Sequence, residues 1–269
     1  MGGYIIRPYF CDSVHFDGTS ILKISQGHFL IDSIIQTLSL SPAEISAIHL
    51  SLKVALFSML LSLPAAIFFA WLLARRDFWG KNLLDGIIHL PLVLPPVVIG
   101  YLLLVAFGRN GFIGKYLYQW FDFSVAFSWR GAVLASAVVA FPLVVRAIRL
   151  ALENVDPKLE QAARTLGANN WRVFFTITLP LSFPGILAGL VLGFARSLGE
   201  FGATITFVSN IIGETQTIPL AMYSFIETPS AEAAAARLCI IAIIIALLSL
   251  VLSEWLARRA KYRLGQSNA

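Results

Sequence analysis

Charge is what this 269-residue chain has least of. Asp, Glu, Lys and Arg make up 13% of it, against 58% hydrophobic residues and a mean hydropathy of +0.78. Soluble domains carry about 25% charged residues, so the composition is that of a membrane domain with several spans. Cysteine is nearly absent. Cys11 and Cys239 stand far apart without metal-ligand spacing, which excludes a disulfide framework and a zinc site, and Cys239 at the head of an apolar run reads as packing. Histidine is sparse too: His15, His28 and His49 precede the first full span and His89 stands alone in its own. No His/Asp/Glu constellation therefore supports a membrane-embedded enzyme, and no metal or cofactor is expected. A phosphate loop is missing too, since Gly80-Lys81 and Gly114-Lys115 lack the preceding glycine and a following Ser or Thr. Any ATP chemistry must come from another chain. The alternative of an autonomous channel or carrier calls for mid-membrane acidic residues or an inverted repeat, and neither is found.

Long apolar runs are what the chain does have. Val54–Ala74, Gly86–Gly108, Gly131–Val145 (running on to about Leu152), Val173–Ala195 and Leu238–Ser253 each reach or approach the ~20 residues that cross a ~30 Å hydrocarbon core. A sixth run, Phe201–Ile212, is short and polar in places, so it is left open as a re-entrant or interfacial segment. Basic residues orient the five crossings. Eleven Lys and Arg, among them Arg75, Arg76, Arg149, Lys158, Arg164 and Arg258, fall on one set of connections, and four (Arg109, Lys115, Arg130, Arg237) fall on the other. Lys53 and Arg196 narrow that margin without reversing it. The richer side is expected in the cytoplasm with the C-terminus, and the N-terminus outside. The net charge of +5 is thus a topology signal rather than a nucleic-acid patch. All six tryptophans lie near span ends and read as an aromatic belt.

One polar run interrupts the oily sequence, from Asp156 to Trp171. Asp156 suits an N-cap, Pro157 the first helical position and Gly167 a C-terminal stop. Leu159, Ala162, Ala163 and Leu166 recur at helical spacing, so a helix of about ten residues, roughly 15 Å long, is expected to lay a small apolar face in a groove of another protein. Ala162-Ala163, Gly167, Ile177, Leu179 and Pro180 fall on the spacing of the Glu-Ala-Ala loop, and the segment resembles that loop in permease subunits of ABC importers. One departure is plain. The Glu position holds Gln161, with Glu160 one residue earlier.

Two further segments are candidates for the pathway. Leu90–Gly100 puts Pro91, Pro95 and Pro96 in one span, where each removes a backbone donor and kinks the helix. The reading stays divided between a gate and a packed structural kink. In Phe194–Phe207, Arg196 and Glu200 sit four apart and can pair on a helix, while Gly199 and Gly202 allow close approach or a break, with Thr204 following. A structural ion pair ending the fourth span is the favoured account there. Together with Ser128–Gly131 and Arg146–Arg149, these segments are similar to the molybdate and sulfate permeases of the ABC importer superfamily, over most of residues 43–260.

That resemblance implies an all-α membrane protein with the type I ABC importer transmembrane fold, five or six crossings and a short cytoplasmic coupling helix. It implies a homodimer in the inner membrane lipid, docked on a dimer of separate ATP-binding subunits, with an extracytoplasmic protein delivering molybdate, or alternatively sulfate or tungstate. Residues 43–260 are expected to form the domain and 261–269 a cytoplasmic tail. Residues 1–42 show no apolar core of signal-peptide length. They are either a short exported or interfacial segment or the product of a start assigned upstream of the real one, and the second reading is preferred.

Overall fold

The computed structural model describes residues 39–263, and among these every regular element is helical. Expectations for residues 1–38 and 264–269 lie outside the described residues.

Helix α1 (Pro42–Arg75) opens with a reciprocal cap. The Glu44 N–H donates to Ser41 Oγ, the Ser41 N–H donates to Glu44 Oε2, and Pro42 occupies the first turn, where its missing donor costs nothing. The helix therefore starts well before Val54 and carries Lys53 inside it. The Lys53 ammonium lies 3.7 Å from the centre of the Trp129 ring, so the charge meets an aromatic face rather than lipid alone.

The run Gly86–Gly108 folds as two helices, α2 (Lys81–Val93) and α3 (Pro96–Phe107), turned by 112°. Pro91 is tolerated inside α2. The break falls at Leu94 and Pro95, whose ψ angles of 140° and 135° are extended. Each precedes a proline, and the following ring drives the preceding residue out of the helical region. Pro96 then starts α3 at the position that suits it. The pair still joins two regions of the bundle: Ile88 packs with Leu73, Ile148 and Leu152, whereas Ile99 and Leu103 pack with Val54, Val133 and Phe207.

After α4 (Gly114–Phe121) come α5 (Trp129–Glu153), α6 (Pro157–Thr165) and α7 (Asn170–Val173). A π-helical turn, Phe174–Thr178, joins α7 to α8 (Leu179–Leu198), and α9 (Gly202–Val208), α10 (Ile218–Glu227) and α11 (Glu232–Arg263) follow. Among the described residues four helices are long and apolar enough to cross a membrane: α1, α5, the continuous Asn170–Leu198 and the Glu232–Leu256 part of α11; counted as one span, the broken pair adds a fifth. In the sixth run the only helix, α9, has seven residues and is about 10 Å long, too short to cross. Its Ala203, Thr204, Phe207 and Val208 are buried instead.

Helix α5 lies at the centre, between α1 and α8. Its contact with α8 depends on Gly185, Gly189 and Gly193, one per turn. A Cβ at Gly193 would sit 2.5 Å from Val144 Cγ2, one at Gly189 would sit 3.1 Å from Ala147 Cβ, and one at Gly185 would run into Ala151. Small residues at this spacing let helix backbones approach where no hydrophobic effect drives them together.

Candidate functional site

The polar run folds as expected. Asp156 Oδ1 accepts from the Lys158 N–H at 2.9 Å and caps α6. At the other end Gly167 adopts φ +85°, its N–H donating to Arg164 O and that of Ala168 to Ala163 O. This paired closure satisfies carbonyls the helix end leaves free, and its left-handed backbone favours glycine at position 167.

Glu160 is the buried member of α6 and points into the bundle. Its Oε1 lies 2.9 Å from Arg75 Nη2, at the end of α1, and accepts from Thr178 Oγ1 at 2.8 Å. Arg164 stands 3.9 Å from its other oxygen, and Arg75 also donates to Val155 O. One carboxylate thus ties the loop helix to both α1 and the root of α8. Gln161 and Ala162 are exposed and Ala163 is half-buried. The outward face carries Leu159 at 49% and Leu166 at 88% exposure, a cost in water that a partner surface would remove.

Thr178 closes the π turn, in which the Leu179 N–H reaches Phe174 O. The next residue is Pro180, whose ring would crowd the Thr176 carbonyl in a regular helix. Widening the preceding turn relieves that clash and sets Thr178 facing Glu160. Such turns recur at functional positions in helices.

The pathway candidates gather elsewhere, around α3, α9 and the far end of α8. Arg196 and Glu200 pair at 2.8 Å, but across the end of α8 rather than along it, since Gly199 already terminates the helix. Glu200 is 2% exposed, and its Oε1 also accepts from the Ala203 N–H, so it caps α9. Gly202 and Gly100 form a close contact between α9 and α3. A Cβ at Gly202 would lie 2.9 Å from Pro96 Cβ, and one at Gly100 would lie 2.6 Å from Ala203 O. Thr204 is fully buried and its hydroxyl donates to Phe201 O. Pro96, Gly202 and the Arg196–Glu200 pair are therefore brought together through α9. Pro91 lies inside α2, Pro95 sits at the break as the N-cap of α3 with its carbonyl accepting from the Val98 N–H, and the α6 residues lie at the other end of α8, a helix about 30 Å long.

Sequence reasoning missed two partners. Arg75 was read only as a topology signal and Thr178 not at all. It also missed Glu44, which is fully buried and receives two bonds from Arg237, Nε to Oε1 at 2.9 Å and Nη2 to Oε2 at 3.1 Å. This fork joins the start of α1 to the start of α11. The Ser41-x-x-Glu44 cap was the available signal for Glu44, and the Gly-x-x-x-Gly-x-x-x-Gly run was the available signal for the α5–α8 contact.

Residues 31–262 match the family model described as binding-protein-dependent transport system inner membrane component. Over 225 residues, 84% of this chain and 98% of the relative, the sequence is 79% identical to the molybdenum transport system permease protein ModB of Haemophilus influenzae. It is 69% identical over 227 residues to the protein of that name in Escherichia coli K12, covering 84% of this chain and 99% of the relative. Among solved structures, a chain of a bacterial ABC transporter involved in the import of the acidic polysaccharide alginate superposes with a TM-score of 0.67 at 20% identity, covering 84% of this chain and 82% of that one. At that identity the likeness concerns the fold, which is the type I importer arrangement of apolar helices. With its bundle of long apolar helices and its anchored loop helix, the chain belongs to the family of binding-protein-dependent transport system inner membrane components.

Proposed function

We propose that this chain is the permease subunit of an ATP-driven molybdate importer, forming the translocation pathway as a homodimer in the inner membrane. Two copies of a separate ATP-binding subunit dock on the α6 loops, and an extracytoplasmic binding protein delivers the oxyanion. The α6 side and the C-terminus face the cytoplasm, and the N-terminus faces outward. Residues 43–260 constitute the transmembrane domain.

The observation that carries the reading is the two-sided character of α6. Its apolar face, Leu159 and Leu166, is exposed for a partner, while Glu160 grips Arg75 and Thr178 behind it. A displacement imposed on that face reaches α1 and α8 together. Substrate identity follows from the high identity to the molybdenum permeases along nearly their whole length. A pathway that must release a dianion suits weak polar contacts rather than an arginine cluster, and the segment around Pro96, Gly202 and the Arg196–Glu200 pair is assigned as its gate.

Coexpression with the ATP-binding subunit tests the loop. The two co-purify, and Gly167→Pro or Ala163→Lys weakens the association. Equal retention of the ATP-binding subunit by both variants and the wild type sinks the assignment. Substrate is tested by which oxyanion accumulates in cells carrying the assembled transporter, and accumulation of sulfate in preference to molybdate reassigns it.

A further inference from the structure

Two cavities open side by side behind α6 and share the wall residues Trp71, Arg76, Asn170 and Phe174. One, of ≈ 260 Å³, is walled by Arg75, Arg76, Arg164 and Glu160. The other, of ≈ 480 Å³, is walled by Phe68, Trp171, Phe175 and Leu179. The polar chamber sets three guanidinium groups against one carboxylate. Among the described residues Arg76 has no carboxylate partner; the adjacent Asp77 is held by Lys81 at 2.8 Å, a bond that keeps its carboxyl below the usual range. Arg164 reaches Glu160 only at 3.9 Å, and Arg75 Nε is buried without a hydrogen-bond partner. In the apolar chamber Phe68, Trp171 and Phe175 are each more than half exposed.

An excess of positive charge joined directly to an aromatic trough, at the end of two membrane-crossing helices, has the chemical division of a phospholipid. Arginine forks suit phosphate oxygens, and tryptophan rings favour the headgroup level. We infer that the double chamber holds one anionic phospholipid of the leaflet on the α6 side. Its phosphate lies against Arg76 and Arg164 and its acyl chains run along Phe68, Phe175 and Leu179. The lipid fills the space between α6, the end of α1 and the π turn, so it braces the loop helix. Free inorganic phosphate shares the headgroup chemistry but leaves the trough empty.

The test uses the whole complex of permease and ATP-binding subunits, equilibrated with equal phosphatidylglycerol and phosphatidylcholine in detergent, with retained lipid counted by mass spectrometry. Wild type retains phosphatidylglycerol preferentially. Arg76→Gln and Arg164→Gln each lower the ratio about fivefold, the loss expected from removing one cation beside an anionic headgroup. Phe175→Ala lowers total retained lipid, and millimolar inorganic phosphate does not displace it. A wild-type ratio near one overturns the proposal without recourse to any variant, as does an unchanged ratio in Arg76→Gln. Displacement by inorganic phosphate overturns it in favour of a free-anion site. Co-purification of the ATP-binding subunit, read in the same samples, fails separately if the loop assignment is at fault.

Discussion

Arg75 Nη2 lies 2.9 Å from Glu160 Oε1, which fastens the end of the first membrane helix to the loop helix α6. The pair is largely withdrawn from solvent, with side-chain exposures of 17% and 10%. Removing one partner leaves a mostly buried charge without its counterpart, a loss of about 3 kcal/mol. Glu160→Gln should therefore lower the melting temperature in detergent and uncouple ATP hydrolysis from transport. Arg75→Gln/Glu160→Gln together should recover part of the stability, because no orphan charge remains. A single variant that melts and transports like wild type would show that the bridge is dispensable.

The fork between Glu44 and Arg237 makes the same argument at the other end of α1. Glu44 is fully buried and caps the helix as well as pairing with Arg237, so its carboxylate serves two elements. Arg237→Ala strands that carboxylate and should cost about 2–4 kcal/mol. Glu44→Gln keeps an acceptor for Ser41 and should cost less. Thermal unfolding of the two purified variants in one detergent measures the order, and the reverse order contradicts the account.

Local chemistry was legible in the sequence wherever one residue type has one conformational consequence. Asp156, Pro157 and Gly167 fixed both ends of α6, and four of the five apolar runs fall in helices long and apolar enough to cross, the fifth in the broken pair. The break at Leu94–Pro95 was harder, because three prolines all predict a disturbance and only the backbone shows that Pro91 is tolerated. Tertiary partners were not legible. That Glu160 turns inward depends on where Arg75 and Thr178 arrive, and Thr178 is placed by a π turn no periodicity announces. The likeness to known permeases singled out the segment, while its neighbours hold the displaced glutamate in place.

Four glycines of the candidate pathway and bundle behave differently on paper, and mutation should separate them. Gly100→Ala puts a methyl 2.6 Å from Ala203 O and 2.9 Å from Thr206 Cβ, so α3 and α9 must part. Overpacking of this kind costs about 1–3 kcal/mol. Gly193→Ala meets Met59 and Val144 and should be similarly harmful, and Gly202→Ala meets the less yielding Pro96. Gly199→Ala meets nothing within 4 Å and has an ordinary φ of −89°, so it should fold and transport normally. Oxyanion uptake and detergent melting across the set check the ranking; a harmful Gly199→Ala with a silent Gly100→Ala refutes it.

Gly167 separates backbone geometry from surface chemistry in the loop. Its φ of +85° is one that a Cβ resists, and no atom lies within 4 Å of the position where a Cβ would sit, so any effect of a small substituent is conformational rather than a clash. Gly167→Ala should cost about 1 kcal/mol, fray the last turn of α6 and weaken the association with the ATP-binding subunit about fivefold. Gly167→Asn, which tolerates the left-handed region better, should lose less. Gly167→Pro should lose most, because it removes the N–H that donates to Arg164 O and fixes φ on the wrong side. Titration of the solubilised permease variants with the purified ATP-binding subunit gives the three affinities. The order Asn, Ala, Pro from tightest to weakest follows from the closure of the helix end, and a uniform loss across the three would place the effect in surface contact instead.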